Sequence, residues 1–261
     1  MIEELLFRIG SYARYFLASR NTLGYGIHSP HLFYIARAIV PERSPYYCFA
    51  DIEHLRRDLL RDNRMVEVTD FGTGQSGTRP LREIARTSLK SRTEAQLLFR
   101  LVKLLHAKTV VELGTSLGIT TAYLAMPDSK AQVLTFEGCR NLAALAREQW
   151  RKLSIGNIRV VEGSIDETLP HEMQKTGEVD LAFIDANHTY EATMRYFSLL
   201  SAHAKESSIF VVDDIRHSRQ MYKAWKAICG SERVTARMDL GTMGLLFFDR
   251  HYPKQTFTLR I

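Results

Sequence analysis

Acidic side chains follow two apolar segments of the chain, at the point where each segment ends. Asp185 comes after the run 181–184, and Asp213 and Asp214 come after the run 209–212. If both runs are central strands of a parallel sheet, their carboxyl ends lie side by side and the three carboxylates meet. Such a cluster repels itself unless a cation neutralises it, and carboxylate oxygens suit Mg²⁺ or Ca²⁺. The sequence therefore predicts a divalent-metal site at Asp185, Asp213 and Asp214. Alternatively, Asp185 orients a bound molecule and Asp214 caps the following helix.

Two histidines follow the same acids closely enough to act with them. His188 comes shortly after Asp185, and a neutral imidazole can take a proton from a hydroxyl group near physiological pH. We predict that His188 is a catalytic base, with a loop histidine that contacts substrate or backbone as the alternative. His217 is the second catalytic candidate. Its alternative role is a position at the start of a helix that Ser218 caps.

A glycine-containing turn separates the β-branched run 109–113 from a helical pattern. Glycine at positions 114 and 118 lets the backbone turn sharply and approach a ligand closely. The start of the next helix offers unpaired N–H groups that suit a carboxylate or phosphate. Glu137 ends the next predicted strand, where an acid can hold two ribose hydroxyl groups. We predict a nucleoside-binding loop, and the alternative is a plain strand–helix turn with a chance acid. The Gly-x-x-x-Gly spacing disfavours NAD, whose binders carry Gly-x-Gly-x-x-Gly.

A second glycine-rich segment, 70–77, also follows a β-like run. No strand that ends in an acid follows it at the required distance, so it does not predict a second cofactor loop. We expect it to be a mobile loop near the mouth of the site, or a structural turn without ligand contact.

Strand and helix patterns alternate regularly from about residue 93. This alternation predicts βαβ units, and the runs that are apolar on both faces predict central parallel strands. The last two strands, on either side of Gly241 and Thr242, have no helix between them and form an antiparallel pair. We predict an α/β, Rossmann-like, doubly wound, mostly parallel seven-stranded sheet with an antiparallel C-terminal strand. Residues 93–261 form this domain, and residues 1–92 form an N-terminal helical extension or lid. The predicted strands are 109–113, 131–137, 158–162, 179–185, 207–213 and the final pair; the predicted helices are 93–105, 119–126, 140–153, 167–175 and 191–204.

Composition limits the class of protein. The 261 residues are 45% hydrophobic and 25% charged, which is ordinary for a globular chain. The formal net charge of +6 leans towards the N-terminal third, where the excess is either a basic docking patch or a solvated helix face. Three distant cysteines predict no disulfide framework, and no apolar run suits a signal peptide or membrane span. These features predict a cytoplasmic protein without membrane association.

The segment 112–118, Glu-Leu-Gly-Thr-Ser-Leu-Gly, resembles motif I of class I S-adenosylmethionine-dependent methyltransferases. Its Glu-x-Gly-x-x-x-Gly form is similar to the catechol O-methyltransferase-like branch, and the resemblance covers residues 93 to about 250. With the His-Ser-Pro segment 28–30, the whole chain resembles a bacterial subfamily of methyltransferases. By position, the resemblance implies S-adenosylmethionine contacts from Glu112, Gly114, Thr115, Ser116, Gly118, Glu137, Gly163, Ser164, Ile165 and Asp185.

The resemblance also implies a chemistry for the acids. Metal-dependent members of that branch have an acid at the position of Asp185, followed by an Asp-Asn pair and a lysine base. Here the pair is Asp213 and Asp214, and the nearest match to the lysine is His188. We therefore expect O-methylation of a small-molecule hydroxyl group, with or without a divalent cation. A homodimer fits the same expectation.

Three other functions compete with this expectation. The first is methylation of RNA or protein, with the basic N-terminal helices as docking surface. The second is a non-catalytic cofactor-binding or scaffold protein. An NAD-dependent oxidoreductase is the third and fits least, because Glu137 suits it but the glycine spacing does not. The acceptor pocket has no motif, although the aromatic residues Tyr25, Phe33, Tyr34, Tyr46 and Tyr47 either line it or serve core packing or an oligomer interface.

Overall fold

The computed structural model describes residues 2–19, 26–69, 76–252 and 254–260. They belong to two compact units: a central unit, Arg43–Thr176, and a terminal unit made of Met1–Glu42 and Gly177–Ile261. The units meet in the sequence after Glu42 and after Thr176 and not at residue 92. The predicted domain boundary stays a prediction. Tyr25 and residues 70–75 of the second glycine-rich segment lie outside the described residues. Within the described ranges, no helix is both long and apolar enough to cross a membrane.

The elements follow one another in a regular order from α5 to α10. The helices are α1 (Ile2–Ala18), α2 (Pro30–Tyr34), α3 (Phe49–Leu59), α4 (Leu81–Ser88), α5 (Arg92–Leu105), α6 (Ile119–Ala125), α7 (Arg140–Lys152), α8 (Ile165–Met173), α9 (Tyr190–Ser201) and α10 (Arg219–Cys229). The strands are β1 (Met65–Val68), β2 (Gly77–Pro80), β3 (Thr109–Leu113), β4 (Gln132–Glu137), β5 (Ile158–Glu162), β6 (Val179–Ile184), β7 (Ala204–Val212), β8 (Ala236–Asp239), β9 (Gly244–Phe247) and β10 (Gln255–Thr258). A π-helical turn, Ile35–Ile39, directly continues α2.

The central unit is a parallel three-stranded arrangement, in the order β3-β4-β5, with helices between its strands. Helix α5 leads into it and begins with a capping box, in which Ser91 and Glu94 each bond the other's backbone N–H. It ends at His106, which adopts a left-handed conformation. The predicted helix 93–105 is thus confirmed, with both ends set by local chemistry.

A small antiparallel pair also belongs to the central unit. Strands β1 and β2 pair from Met65 with Pro80 to Val68 with Gly77. The sequence predicts β1 but not β2. The chain between the two strands contains the second glycine-rich segment, and its predicted role as a loop or turn stays a prediction.

The terminal unit contains the strands in the order β10-β8-β9-β7-β6. Strands β6 and β7 are parallel, β9 is antiparallel to β7 and β8, and β10 is parallel to β8. All six residues of β6 are buried, as expected of a central strand covered on both faces. The α/β, Rossmann-like, mostly parallel fold class is confirmed. Apart from the pair β1 and β2, the described residues form eight strands, one more than predicted, because β10 carries too weak a pattern to be recognised.

Helix α1 turns its apolar stripe towards solvent. The sequence shows helical spacing of apolar residues there, but Ile2, Leu6 and Leu17 are all exposed. The buried positions of α1 are Ser11 and Tyr15. The hydroxyl group of Tyr15 donates a hydrogen bond to the carbonyl of Leu259 at 2.7 Å. A polar contact therefore holds this helix in the terminal unit.

Gly244 is required by the packing of β9 against α10. A Cβ at this position would overlap the indole ring of Trp225. We expect Gly244→Ala to lower the free energy of unfolding by about 1–3 kcal/mol, since overpacking forces side chains or backbone to move. Chemical denaturation monitored by circular dichroism measures this loss. Gly156→Ala is the control, because a Cβ there meets nothing within 4 Å; equal losses for both variants would contradict the overlap.

Candidate active site

The predicted cofactor loop of the central unit has an unusual backbone. The φ angles of Gly114, Ser116 and Gly118 are 98°, 48° and 74°. Residues other than glycine seldom adopt such positive φ values. The N–H groups of Gly114 and Thr115 both donate to the carbonyl of Phe136 at 3.1 Å. The loop is therefore attached to the neighbouring strand β4 immediately after the chain leaves β3.

Gly118 is also fixed by packing. A Cβ there would lie 2.7 Å from Nε1 of Trp150 and 2.8 Å from Cβ of Ala146. The indole nitrogen donates to the carbonyl of Gly118 at 2.8 Å. The second glycine of the motif thus allows α7 to pack closely against the start of α6.

Glu112 lies beneath the loop and is fully buried. Its Oε2 accepts hydrogen bonds from the hydroxyl groups of Thr121 at 2.5 Å and Thr135 at 2.6 Å. Thr135 also bonds the hydroxyl of Thr115 at 2.6 Å. Because Thr135 gives its only proton to Glu112, Thr115 is the donor in that pair. These four side chains, Thr115, Thr135, Glu112 and Thr121, form one connected network, which we call the threonine–glutamate network.

Burial raises the pKa of Glu112 to about 8, against the opposing effect of the two threonine hydrogen bonds and with a small contribution from the charge of Glu137. No residue among those described bonds its Oε1. A buried carboxyl group that keeps its proton at neutral pH avoids the cost of a desolvated charge. The side chain of Glu112 is screened from solvent, and its predicted contact with the cofactor stays a prediction.

Glu137 ends β4 beside this loop. Its Oε2 accepts the N–H of Ser116 at 2.7 Å, and its Oε1 accepts the N–H of Cys139 at 2.9 Å. The side chain is half-buried, and an ionised carboxylate offers about four lone-pair sites. Two backbone donors orient the group and leave acceptor capacity for a diol. This geometry suits the predicted ribose contact.

The predicted adenine-flanking residues follow β5. Gly163 has φ 125° and its N–H donates to the carbonyl of Glu137 at 3.0 Å. Ser164 precedes the first turn of α8 and Ile165 is buried. The backbone of this segment is therefore joined to the end of β4, next to Glu137.

The terminal unit brings three of the predicted site residues together. Nε2 of His188 lies 3.6 Å from Oδ1 of Asp185, and Nδ1 lies 3.9 Å from Oδ2 of Asp214. One ligand-type atom of each residue lies within 4.8 Å of the other two. These separations exceed hydrogen-bond length but allow ionic attraction. We call Asp185, His188 and Asp214 the acid–histidine group.

The backbone that carries this group is strained. Asn187, His188 and Asp214 all have positive φ angles, of 60°, 37° and 52°. Asn187 donates from its side chain to the hydroxyl of the buried Tyr196. Residues in such conformations cost free energy and cluster at functional sites, where surrounding contacts hold them. Nothing in the sequence pattern distinguishes Asn187, because the contact depends on where α9 places Tyr196.

Asp213 and His217 lie outside the acid–histidine group. Asp213 is fully buried and its N–H donates to the carbonyl of Ile184 at 3.0 Å, which extends the pairing of β7 with β6. Asp214, the next residue, has a left-handed backbone, and its carboxylate lies near His188 instead. His217 is half exposed, and its Nδ1 lies 4.0 Å from Asp214. Asp213 is not one of the three residues whose ligand-type atoms lie close together in the described part of the chain, and the predicted metal set stays a prediction. Ser218, not Asp214, caps α10, as its hydroxyl accepts the N–H of Met221 at 3.1 Å.

Comparisons with known proteins agree with this fold. The family described as "Methyltransferase domain" matches residues 111–215. The cofactor-bound protein Rv0187 from MTB is 23% identical, with 62% of this chain and 83% of that chain covered and a TM-score of 0.55. The O-methyltransferase from Bacillus cereus, in complex with SAH, is 16% identical over 82% and 95% of the chains, with a TM-score of 0.57. TomG from Streptomyces achromogenes, an O-methyltransferase in complex with SAM, is 15% identical over 83% and 94%, with a TM-score of 0.59. No curated protein sequence matches this chain.

The family match spans β3 to the residue after Asp214, so it includes both the cofactor loop and the acid–histidine group. Residues 111–215 thus match a methyltransferase domain, and the solved structures of similar fold include O-methyltransferases, in agreement with the class that the sequence predicted. The match favours this class over the NAD-dependent alternative. The identities below 25% establish fold and not substrate, and the individual residue roles remain predictions.

The raised pKa of Glu112 gives the protein a pH-dependent stability. Between its ordinary pKa of 4.5 and about 8, the folded protein keeps a proton that the unfolded chain releases. The free energy of unfolding therefore falls as pH rises through this window and levels off above it. We expect Glu112→Gln to flatten that fall, which melting temperatures measured from pH 5 to 9 would show. Glu178→Gln, an exposed change, should leave the slope intact; an unchanged slope in Glu112→Gln would contradict the assignment.

Proposed function

We propose that the enzyme transfers the methyl group of S-adenosylmethionine to a hydroxyl oxygen of a small molecule, with His188 as general base. The acid–histidine group carries the proposal, since an imidazole flanked by two carboxylates on a strained turn is suited to proton transfer. The O-methyltransferases among the similar structures support the same reaction class.

The central unit offers the groups for the cofactor. The carboxylate of Glu137, which two backbone N–H groups orient, would hold the ribose diol. The backbone of the loop from Gly114 to Gly118 would lie along the methionine part of the cofactor. Bound S-adenosylmethionine supplies an already activated methyl group.

The acid–histidine group would act on the acceptor. Neither nitrogen of His188 is tied by a hydrogen bond to Asp185 or Asp214, so one remains available for a hydroxyl proton. His188 would take that proton as the acceptor oxygen bonds to the methyl carbon and the bond from that carbon to the sulfonium sulfur breaks, with S-adenosylhomocysteine as the leaving group. The two carboxylates would stabilise the resulting imidazolium. Alignment of the acceptor oxygen with the methyl group provides the rest of the acceleration.

The cofactor assignment predicts a defined loss of affinity. Glu137→Gln should weaken binding of S-adenosylhomocysteine by about tenfold or more, because a hydrogen bond to a charged group contributes about 1.5–3 kcal/mol. Isothermal titration calorimetry measures this change. Glu67→Gln, at an exposed position of β1, serves as the matched control. Equal affinity of the wild type and Glu137→Gln would remove the ribose contact from the proposal.

The general base predicts a loss in rate without a loss in cofactor binding. His188→Gln should lower kcat by about 10²–10⁴-fold, which is the usual contribution of general acid–base catalysis. A panel of catechols and phenols with radiolabelled S-adenosylmethionine provides the assay. His54→Gln, on the surface of α3, is the control. If only His217→Gln abolished turnover, His217 would be the base.

The same assay distinguishes catalysis with His188 as the base from metal-assisted catalysis. Asp185, His188 and Asp214 could together hold a divalent cation, and their mixed nitrogen and oxygen donors suit a transition metal better than Mg²⁺ or Ca²⁺. With His188 as the base, enzyme treated with EDTA keeps its rate. Loss of turnover with EDTA and its recovery on addition of Mg²⁺, Ca²⁺ or Mn²⁺ would instead establish metal assistance.

A further inference from the structure

A cavity of about 490 Å³ lies in the terminal unit between α1, α10 and the strands β8 and β10. No member of the acid–histidine group lines it. Its volume falls in the range of small-molecule sites. Polar and aromatic side chains dominate the wall, and those that carry the argument are Arg14, Tyr15, Arg216, Lys226, Arg237 and Asp239.

The cavity has a large excess of positive charge. Four cationic side chains line it, together with one carboxylate, that of Asp239. Arg216 binds both oxygens of this carboxylate, because its Nη1 and Nη2 donate hydrogen bonds to them at 2.7 and 2.6 Å. Asp239 also accepts the N–H of Gly241 at 3.0 Å. Among the described residues, no carboxylate makes an ion pair with Arg14, Lys226 or Arg237.

Arg237 is the cation that most needs an anion. The residue is only 7% exposed, and its Nη2 donates to the carbonyl of Cys229. Its Nε has no hydrogen-bond partner among the described residues. A buried guanidinium without a counter-charge carries a desolvation cost that an anion in the cavity would offset.

The neighbouring groups do not provide that negative charge. Burial raises the pKa of Tyr15 to about 12, with a contribution from the charge of Asp239, and burial raises the pKa of the Cys229 thiol to about 12. Both groups are therefore neutral at physiological pH. Arg216 lies over the rings of Tyr15 and Tyr222, at 4.9 and 5.8 Å from their centroids, so apolar faces adjoin the cationic groups.

We propose that this cavity binds a small molecule that bears a phosphate group. Arginine presents a fork of donors that matches phosphate oxygens, and lysine adds a mobile point charge at the entrance. Arg237 would bind the phosphate from inside the cavity, and Arg14 and Lys226 would close over it from the two helices. Tyr15, Tyr222 and Trp225 would contact an organic part of the ligand.

Calorimetry on the full chain at constant ionic strength tests this site with three probes: inorganic phosphate, pyrophosphate and phenyl phosphate. We expect saturable one-to-one binding. Tighter binding of phenyl phosphate than of inorganic phosphate would identify an organic phosphoester as the ligand class, and the reverse order would identify free phosphate or diphosphate. The absence of saturable binding by every probe would overturn the proposal.

A matched pair of double variants separates a built site from general charge. Arg14→Gln with Lys226→Gln removes two cavity charges and should weaken binding by about tenfold or more. Arg8→Gln with Lys223→Gln removes the same charge from the same two helices, at positions that do not line the cavity. Equal weakening by both pairs would overturn the proposal.

Arg237→Lys tests the buried guanidinium while it keeps the charge. We expect it to lower the affinity for phenyl phosphate, with an unchanged melting temperature as evidence of a native fold. Unchanged affinity would remove Arg237 from the site.

Single-stranded RNA is the last alternative ligand. If an RNA oligonucleotide binds more tightly than every small probe and loses affinity in Arg14→Gln with Lys226→Gln, the surface is a nucleic-acid contact and the proposal fails.

Discussion

A buried acid next to a glycine turn is the constraint on which the central unit depends. Glu112 lies near the end of β3 and is fully buried, where a charge would be costly. The hydroxyl groups of Thr121 and Thr135 satisfy one of its oxygens, and burial keeps the carboxyl group protonated. Through Thr115 the same network reaches the turn itself. The strand, the turn and the following helix are thus joined by side-chain hydrogen bonds as well as by the backbone.

Glu137 completes this arrangement from the next strand. Its two oxygens accept backbone N–H groups from two different connections, that of Ser116 after β3 and that of Cys139 after β4. A carboxylate held in this way has one orientation before any ligand arrives, and a ligand then loses less free energy to the ordering of the site. The geometry of the predicted ribose contact is therefore a property of the fold.

The terminal unit uses charge in two different ways. In the acid–histidine group, two carboxylates flank one imidazole at 3.6 and 3.9 Å, distances that allow ionic attraction. In the cavity beside α1, four cations surround one carboxylate that is already paired with Arg216. The first arrangement suits proton removal from an acceptor, and the second suits the binding of an anion. The polar contact of Tyr15 with Leu259 places α1 along that cavity.

Short-range chemistry in the sequence determined much of this protein. Alternating strands and helices, the glycines at 114 and 118 and the acids at strand ends depend on backbone sterics and on hydrophobic period, which neighbouring residues decide. The fold class, the glycine turn after β3 and the capping role of Ser218 could therefore be predicted. Strand β10 could not, because its pairing with β8 depends on a distant segment and not on its own weak pattern.

Only the tertiary structure decided which side chains meet. Asp213 and Asp214 are adjacent in sequence but differ in position. Asp213 is buried and continues the hydrogen bonding between β7 and β6. Asp214 has a left-handed backbone, and its carboxylate lies near His188. The partners of Glu112 and the cavity near Arg237 likewise join residues that are distant along the chain. Such contacts depend on three-dimensional packing and on the desolvation it imposes, and neither quantity can be calculated from the spacing of residues alone.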